Sequence, residues 1–185
     1  MSNSTRRTFA LGLAAATGLA ACGNGIGSTG AEVIDARVQE TLNFLYTTYP
    51  GTADLSARAS GMLVMPVVTE LGFGLGGSYG RGSLMVGESV VDYYSATAAS
   101  AGLQIGAQQY SHVLFFMTDD ALLDFRRSNG WVVGADVEYA LLNEGEVLRA
   151  ETTTSRSPVI AMVFAQAGLR VGATLDGTKY TRITP

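Results

Sequence analysis

Residues 72–82 read Gly-Phe-Gly-Leu-Gly-Gly-Ser-Tyr-Gly-Arg-Gly, and the even and odd positions of this stretch differ in kind. The even positions carry glycine or serine, whereas the odd positions include Phe73, Leu75, Tyr79 and Arg81. Because successive side chains of a β-strand point to opposite faces, this alternation predicts a strand with one bare and one bulky face. A bare face allows close approach to the backbone, so the N-terminal helix is expected to pack there. The glycines of the bare face are Gly72, Gly74, Gly76, Gly80 and Gly82.

The segments on either side of this stretch predict an α+β fold. Apolar residues recur at helical spacing from Ala31 to Tyr49, and a short second helix is expected to begin at Asp54. After Gly61 the apolar period becomes two, except for one short inserted helix over residues 119–127. The expected architecture is an N-terminal amphipathic helix packed on a large, curved, mainly antiparallel sheet, read as one meander, or on a partly closed barrel. Expected strands cover residues 61–65, 83–87, 90–97, 102–108, 111–117, 131–139, 146–153, 158–164, 168–174 and 178–183.

Composition limits the size of the protein and the class of its partners. The chain has 185 residues, 47% of them hydrophobic and 15% charged, which suits one domain plus a targeting segment. Its net charge is −4 and its basic residues are scattered, so nucleic acid is not an expected partner. Cys22 is the only cysteine and His112 the only histidine, too few for a structural zinc site. The sequence predicts no cofactor and no metal.

The N-terminal residues have the pattern of an export signal. Arg6 and Arg7 precede an apolar run from Phe9 to Ala21. This run of about 13 residues is shorter than the roughly 17 to 25 that span a bilayer as a helix. The paired arginines favour the twin-arginine route, with general secretion as the alternative. We therefore expect an exported protein with a signal peptide over residues 1–21.

The end of this signal resembles the lipobox of bacterial lipoproteins. The chain reads Leu19-Ala20-Ala21-Cys22, and the resemblance implies that Cys22 is acylated and becomes the first mature residue. The alternative is a free cysteine beside an ordinary cleavage site. If Cys22 is acylated, residues 22–30 form the lipidated cysteine and a flexible tether, and residues 31–185 form the folded domain. Asn24 stands where an inner-membrane retention signal has aspartate, which favours the outer membrane, facing the periplasm.

Motifs that carry chemistry are weak or incomplete. The stretch Gly72-x-Gly74-x-x-Gly77 matches the dinucleotide fingerprint, but no helix is predicted directly after it. His112 lies in a strand-like segment, and the chain has no Gly-x-Ser-x-Gly nucleophile elbow, so we interpret it as a structural histidine. The acidic residues are interpreted as helix caps or solvated turns rather than calcium ligands. These acids are Asp119, Asp120, Asp124, Glu144 and Glu146. The sequence predicts no catalytic constellation.

Several motifs in order resemble the SYLF domain of bacterial envelope proteins and of eukaryotic lipid- and actin-binding adaptors. The resemblance covers about residues 35 to 184 and implies a non-enzymatic domain that binds membrane lipid. Phosphoinositides and filamentous actin are the ligands of eukaryotic members. The motifs are Ala59-Ser-Gly-Met-Leu-Val-Met-Pro, the glycine stretch 72–82, Tyr94-Ser, Gly102-Leu-Gln-Ile-Gly-Ala-Gln, Leu114-Phe-Phe-Met-Thr, Gly130-Trp, Gly168-Leu and Lys179-Tyr-Thr-Arg-Ile.

Departures from the family pattern reduce the number of expected ligands. Ser60 stands where the family carries a lysine, and the first helix carries three acids against Arg37 alone. Phosphoinositide is therefore not the expected lipid, and actin is not an expected partner for an exported bacterial protein. Within the matched motifs, Arg81, Lys179 and Arg182 are the candidate contacts to a lipid head group. The alternative function is a structural lipoprotein that binds another envelope protein and no lipid beyond its own acyl anchor.

Overall fold

Three helices and six strands are formed by the residues that the computed structural model describes, which are 29–134, 137–141, 157–164, 175 and 177–185. The helices are α1 (Gly30–Thr48), α2 (Thr52–Arg58) and α3 (Asp119–Arg127). The strands are β1 (Gly61–Val86), β2 (Ser89–Phe116), β3 (Trp131–Val132), β4 (Val137–Leu141), β5 (Val159–Phe164) and β6 (Lys179–Ile183). The predicted α+β class is confirmed. No helix in these ranges is both long enough and apolar enough to cross a membrane.

Helix α1 follows the apolar spacing of the sequence. Its buried face includes Ile34, Val38, Leu42 and Leu45, which recur three or four positions apart. The helix matches the expected 31–49 to within one residue at each end. Helix α2 begins at Thr52, two residues earlier than expected, because the preceding glycine takes a left-handed conformation with φ 102° and turns the chain there.

Two long strands dominate the sheet. β1 and β2 pair antiparallel along their whole length and are joined by a tight turn at Gly87, whose φ is 60°. Register shifts at Met65/Val68, Phe73/Gly74 and Leu84/Met85 allow this ribbon to bend. The expectation of separate strands at 61–65 and 83–87, and at 90–97, 102–108 and 111–117, is therefore wrong. The glycine stretch 72–82, predicted as a strand, is part of β1 and connects the two segments that were expected to be separate.

The expected simple meander is also wrong. The sheet order is β3-β6-β2-β5-β4, with β1 also paired to β2, and β4 and β5 run parallel. The connection between β4 and β5, residues 142–158, has the length that a parallel crossover needs. The expected strand 131–139 is divided into β3 and β4. The expected strands 146–153 and 168–174 lie outside the described residues.

The sheet has a core on each face. On the outer face, α1 packs its apolar side against Met62, Val64, Phe115, Met162 and other strand residues. The inner face is closed by the curl of the sheet and by α3. Here Phe125 of α3 lies 4.7 Å from the Tyr94 ring and 4.8 Å from the Phe116 ring, between centroids. The predicted helix on a curved sheet with one short inserted helix is thus confirmed.

The bare glycine face does not receive the N-terminal helix where its contacts are described. A Cβ atom on Gly82 would overlap the Val64 carbonyl oxygen and lie 2.6 Å from the Met65 sulfur. A Cβ atom on Gly80 would lie 2.8 Å from the Val67 carbonyl oxygen. The first part of β1 therefore packs on its own second part. The glycines are needed because the strand folds back on itself, and α1 lies on the opposite face.

Candidate functional site

The outer face of the sheet continues beyond the area that α1 covers. Tyr79 of β1 pairs with Thr97 of β2, which pairs with Lys179 of β6, which pairs with Val132 of β3. Directly paired residues of antiparallel strands point to the same side, so these four side chains form one row across four strands. All four are exposed, Tyr79 by 54% and Val132 by 51%. The row is an open, mainly uncharged surface with one cation.

Further exposed apolar side chains lie along the same ribbon. Leu75 is 80% exposed and Leu71 is 58% exposed, both at odd positions of β1 like Tyr79. Ala99 and Ala107, which pair with Gly77 and Leu71, are also exposed. Several exposed apolar residues on one face mark an interaction site more often than scattered single residues do. We call this surface the outer strip, formed by Leu71, Leu75, Tyr79, Ala99, Ala107 and Val132.

Helix α1 begins close to the outer strip. The Tyr93 hydroxyl donates a hydrogen bond of 2.8 Å to the Asp35 carboxylate in the second turn of α1. Burial, followed by the hydrogen bond to this carboxylate, raises the pKa of Tyr93 to about 12. Tyr93 and Thr97 lie on the same face of β2, four residues apart, which corresponds to about 13 Å along a strand. The second turn of α1 therefore contacts β2 about 13 Å from the row that contains Tyr79 and Thr97.

The three predicted head-group cations do not lie together. Lys179 is exposed in the row described above, and its side chain passes over Gly130, where a Cβ atom would meet it. Arg81 is half-buried in the next row, which also contains Ser95. Arg182 lies three positions after Lys179 on β6 and pairs with Tyr94 of the inner core. Because side chains alternate along a strand, Arg182 belongs to the inner face. The structure thus brings Arg81 and Lys179 to the edge of the outer strip and places Arg182 elsewhere.

Arg182 is engaged in an ion-pair network at the end of the inner core. Its guanidinium lies 3.4 Å from the Asp92 carboxylate, which also binds Arg126 at 3.2 Å. It donates to the Arg126 carbonyl and lies 5.9 Å from the centre of the Tyr94 ring. The hydrogen bond to the Tyr94 hydroxyl raises the pKa of this guanidinium. Arg182 therefore holds α3 to the sheet, which is a structural role.

His112 is fully buried in the inner core. Its Nε2 lies 2.7 Å from the Tyr180 hydroxyl, and its ring stacks on Tyr110 with 5.9 Å between centroids. Its Nδ1 has no hydrogen-bond partner in the described part of the chain. Burial lowers the pKa of His112 to about 3, so the ring is neutral at physiological pH. The prediction of a structural histidine agrees with this setting, although only one ring nitrogen is satisfied.

A cavity of about 620 Å³ lies between α1, α2 and the start of the sheet. Its apolar wall includes Leu42, Met62 and Met85. On its polar side, the Tyr46 hydroxyl donates a 2.9 Å hydrogen bond to Ser56. Tyr46 and Ser56 therefore bind each other, and the polar lining also includes Gln39, Asn43 and Glu88.

The acidic residues of α3 act as predicted for a helix start. Thr118 is the N-cap, and its side chain accepts a 3.2 Å hydrogen bond from the Ala121 amide. Asp119 and Asp120 occupy the first turn, where the helix dipole favours negative charge. Among the described residues, no three His, Cys, Asp or Glu side chains are grouped so as to hold a metal ion. Glu144 and Glu146 lie outside the described residues.

Sequence reasoning found one edge of the outer strip and missed its extent. The alternation over residues 72–82 indicated a bulky face, but it did not show that Leu75 and Tyr79 face solvent. Val132 was missed because its neighbours in the row come from strands far apart in the chain. Cys22, Arg6 and Arg7 lie outside the described residues.

The comparison with known families supports the resemblance in the sequence. Residues 97–184 match a family model described as Ysc84, Las17-binding protein actin regulator. The match includes most of β2 and all of α3 and β3–β6. No curated protein matches the chain.

Proposed function

We propose that this chain, which belongs to the SYLF (Ysc84) family, is a non-catalytic lipoprotein of the bacterial cell envelope whose folded domain binds membrane lipid. The family match carries this proposal, because a lipid- or actin-binding role is what the family suggests. Lipid is the more suitable of the two partners for a chain that begins with an export pattern. The exposed outer strip provides apolar surface of the kind that lipid binding needs.

The membrane tether is the second part of the proposal. Arg6 and Arg7 would direct export, signal cleavage would follow Ala21, and Cys22 would carry the acyl chains. Loss of residues 1–21 removes two arginines and no acid, so the mature chain would carry a net charge of −6. Such a chain would lie at the periplasmic side of the outer membrane. The proposal is supported by the sequence pattern alone.

The absence of catalysis is part of the same proposal. His112, the only histidine, is enclosed in the inner core and contacts two tyrosine rings. A general base must reach the proton that it removes, and a fully buried imidazole among aromatic rings has no access to substrate. The described residues also hold no carboxylate cluster suited to a metal.

The test separates the acyl anchor from the domain. Wild-type chain expressed in a Gram-negative host should partition into the detergent phase of Triton X-114. The Cys22→Ala protein, produced from residue 22 onward so that the apolar run 9–21 is absent, should partition into the aqueous phase. Purified Cys22→Ala protein should nevertheless float with phospholipid vesicles, because the domain supplies a second lipid contact. Absence of flotation with every vesicle composition would refute domain-level lipid binding. Replacement of Arg6 and Arg7 by lysine should block export if the twin-arginine route is used.

A protein-binding role is the second candidate, and the family description favours it. Proteins of this family are described as Las17-binding actin regulators, so at least part of the family binds protein. For this chain the corresponding partner would be another envelope protein that meets its acidic surface. Cross-linking in cells should then recover one dominant partner, and purified Cys22→Ala protein should show no vesicle binding.

A further inference from the structure

We infer that the outer strip is the surface of the domain that lies on the phospholipid bilayer, an inference that rests on the proposed lipid-binding function. The strip lies on one face of the sheet, and its members Leu71, Leu75 and Tyr79 are exposed by 58%, 80% and 54%. An exposed leucine is poorly hydrated in water and gains free energy on entering the acyl region. Tyrosine suits the head-group level of a bilayer, because its ring is apolar and its hydroxyl is polar.

Charge favours the same surface. The chain carries a net charge of −4, so most of its surface is repelled by anionic phospholipid. The six residues of the outer strip include no acid, and the row through Tyr79 adds the exposed ammonium of Lys179. A cation beside an apolar surface fits a bilayer, where anionic head groups border the acyl chains. Leu123 is also an exposed leucine, but it lies on α3, a helix with three aspartates and two arginines, and therefore beside acidic side chains that the outer strip does not have.

The position of the N-terminus brings the bilayer to this surface. Cys22 precedes Thr29 by seven positions, and a segment of that length spans at most about 25 Å. An acyl anchor at Cys22 therefore holds the bilayer within that distance of the start of α1. Since Asp35 of α1 contacts Tyr93, about 13 Å along β2 from Thr97, the outer strip lies within reach. The acyl anchor and the outer strip would then bind the same membrane. The anchor would raise the effective concentration of lipid at the strip, which is the weaker of the two contacts.

The experiment places a fluorescent probe on the strip. Cys22→Ala removes the only cysteine, so a new cysteine at position 75 or 123 can be labelled uniquely with an environment-sensitive dye. The mature chain, residues 22–185, carrying Cys22→Ala with Leu75→Cys is mixed with vesicles of phosphatidylethanolamine and phosphatidylglycerol. The matched control carries Leu123→Cys, at a leucine that is 41% exposed on α3. We expect the emission of the dye at position 75 to shift to the blue and brighten, and the dye at position 123 to stay unchanged.

Binding measurements provide the second readout. In the Cys22→Ala chain, Leu75→Ser should weaken the vesicle partition coefficient about tenfold, since one leucine side chain no longer enters the acyl region. The control Leu123→Ser should leave the partition coefficient unchanged. Lys179→Gln should weaken binding to vesicles that contain phosphatidylglycerol about fivefold and leave binding to phosphatidylcholine vesicles unchanged. Circular dichroism of each variant checks that the fold is retained.

The outcomes separate the inference from the function on which it rests. If the Cys22→Ala chain binds vesicles but neither probe responds, or only the probe at position 123 responds, the outer strip is not the membrane surface and the lipid-binding function stands. If the chain binds no vesicle of either composition, the proposed function fails together with the inference. If the probe at position 75 brightens with protein concentration in the absence of vesicles, a second copy of the chain covers the strip, which also overturns the inference.

Discussion

The buried histidine gives a prediction that isolates one residue, because the chain has a single histidine. Between pH 7 and pH 5, His112 is the only side chain whose ordinary pKa lies in the range of titration. In the folded protein, burial lowers the pKa of His112 to about 3, so the ring stays neutral over this range. In the unfolded chain the ring has an ordinary pKa near 6.5 and takes up a proton. The unfolded state therefore binds more protons as the pH falls.

The sign and size of the effect follow from this difference. A histidine with a lowered folded-state pKa contributes its full stabilisation above pH 6.5 and loses it as the pH falls toward 3. At pH 5 the free energy of unfolding should be smaller than at pH 7 by about 2 kcal/mol, from about 1.4 kcal/mol per pKa unit. The groups in contact with the ring, Tyr110 and the Tyr180 hydroxyl, belong to tyrosines, a residue type whose ordinary pKa near 10 lies outside this range.

The assay is urea unfolding at pH 7 and pH 5, followed by far-ultraviolet circular dichroism. With a slope of about 2 kcal/mol per molar urea, the midpoint of the wild-type chain should fall by about 1 M. His112→Gln should lower stability at both pH values, since the ring contacts are lost, but its midpoint should change little between them. A wild-type midpoint that is independent of pH, or an equal fall in His112→Gln, would show that His112 is not a buried neutral group.

Four further substitutions test the packing, the cap of α3 and the ion-pair network. Gly82→Ala should destabilise the domain by about 3 kcal/mol or prevent folding, because the new methyl group meets a backbone carbonyl that cannot move independently. Gly134→Ala, at a glycine with open space, should change the free energy of unfolding by no more than about 0.5 kcal/mol, and urea titration compares the two. Thr118→Ala should cost about 1 kcal/mol by thermal unfolding, since it removes the cap of α3. Arg182→Gln should cost at most about 1 kcal/mol, as an exposed ion pair does, and should leave vesicle binding by the Cys22→Ala chain unchanged.

Local rules of helix formation predicted α1 and α3 from the sequence. Apolar spacing placed α1 to within one residue at each end, and the Asp119-Asp120 start with Arg126 and Arg127 at the end placed α3. These signals are local, because each depends on residues within one or two turns. The sequence also indicated correctly that residues 72–82 form strand with two unlike faces.

The joining of strands and the use of each face depend on distant residues, and here the sequence was insufficient. Nothing near Gly82 shows that its bare face meets the backbone of Val64, because that contact forms only when β1 bends. In the same way, Lys179 and Arg182 are equivalent in sequence terms, as two cations in one short motif. Lys179 and Arg182 lie on opposite faces because side chains alternate along β6. Arg182 is then held by the carboxylate of Asp92, a residue of β2.

The division of the outer face between helix and open surface follows from the lengths of the elements. A helix of 19 residues, such as α1, is about 28 Å long, whereas the 26 residues of β1 trace about 86 Å of strand. One helix of that length cannot cover such a ribbon, and α1 is placed over the part that carries Met62, Val64 and Met85. The inner face is covered differently, because the ribbon bends until Gly80 and Gly82 lie against the backbone of Val64 and Val67. The outer face of a bent ribbon is convex and cannot close on itself, so within the described residues Leu71, Leu75 and Tyr79 stay exposed beyond α1.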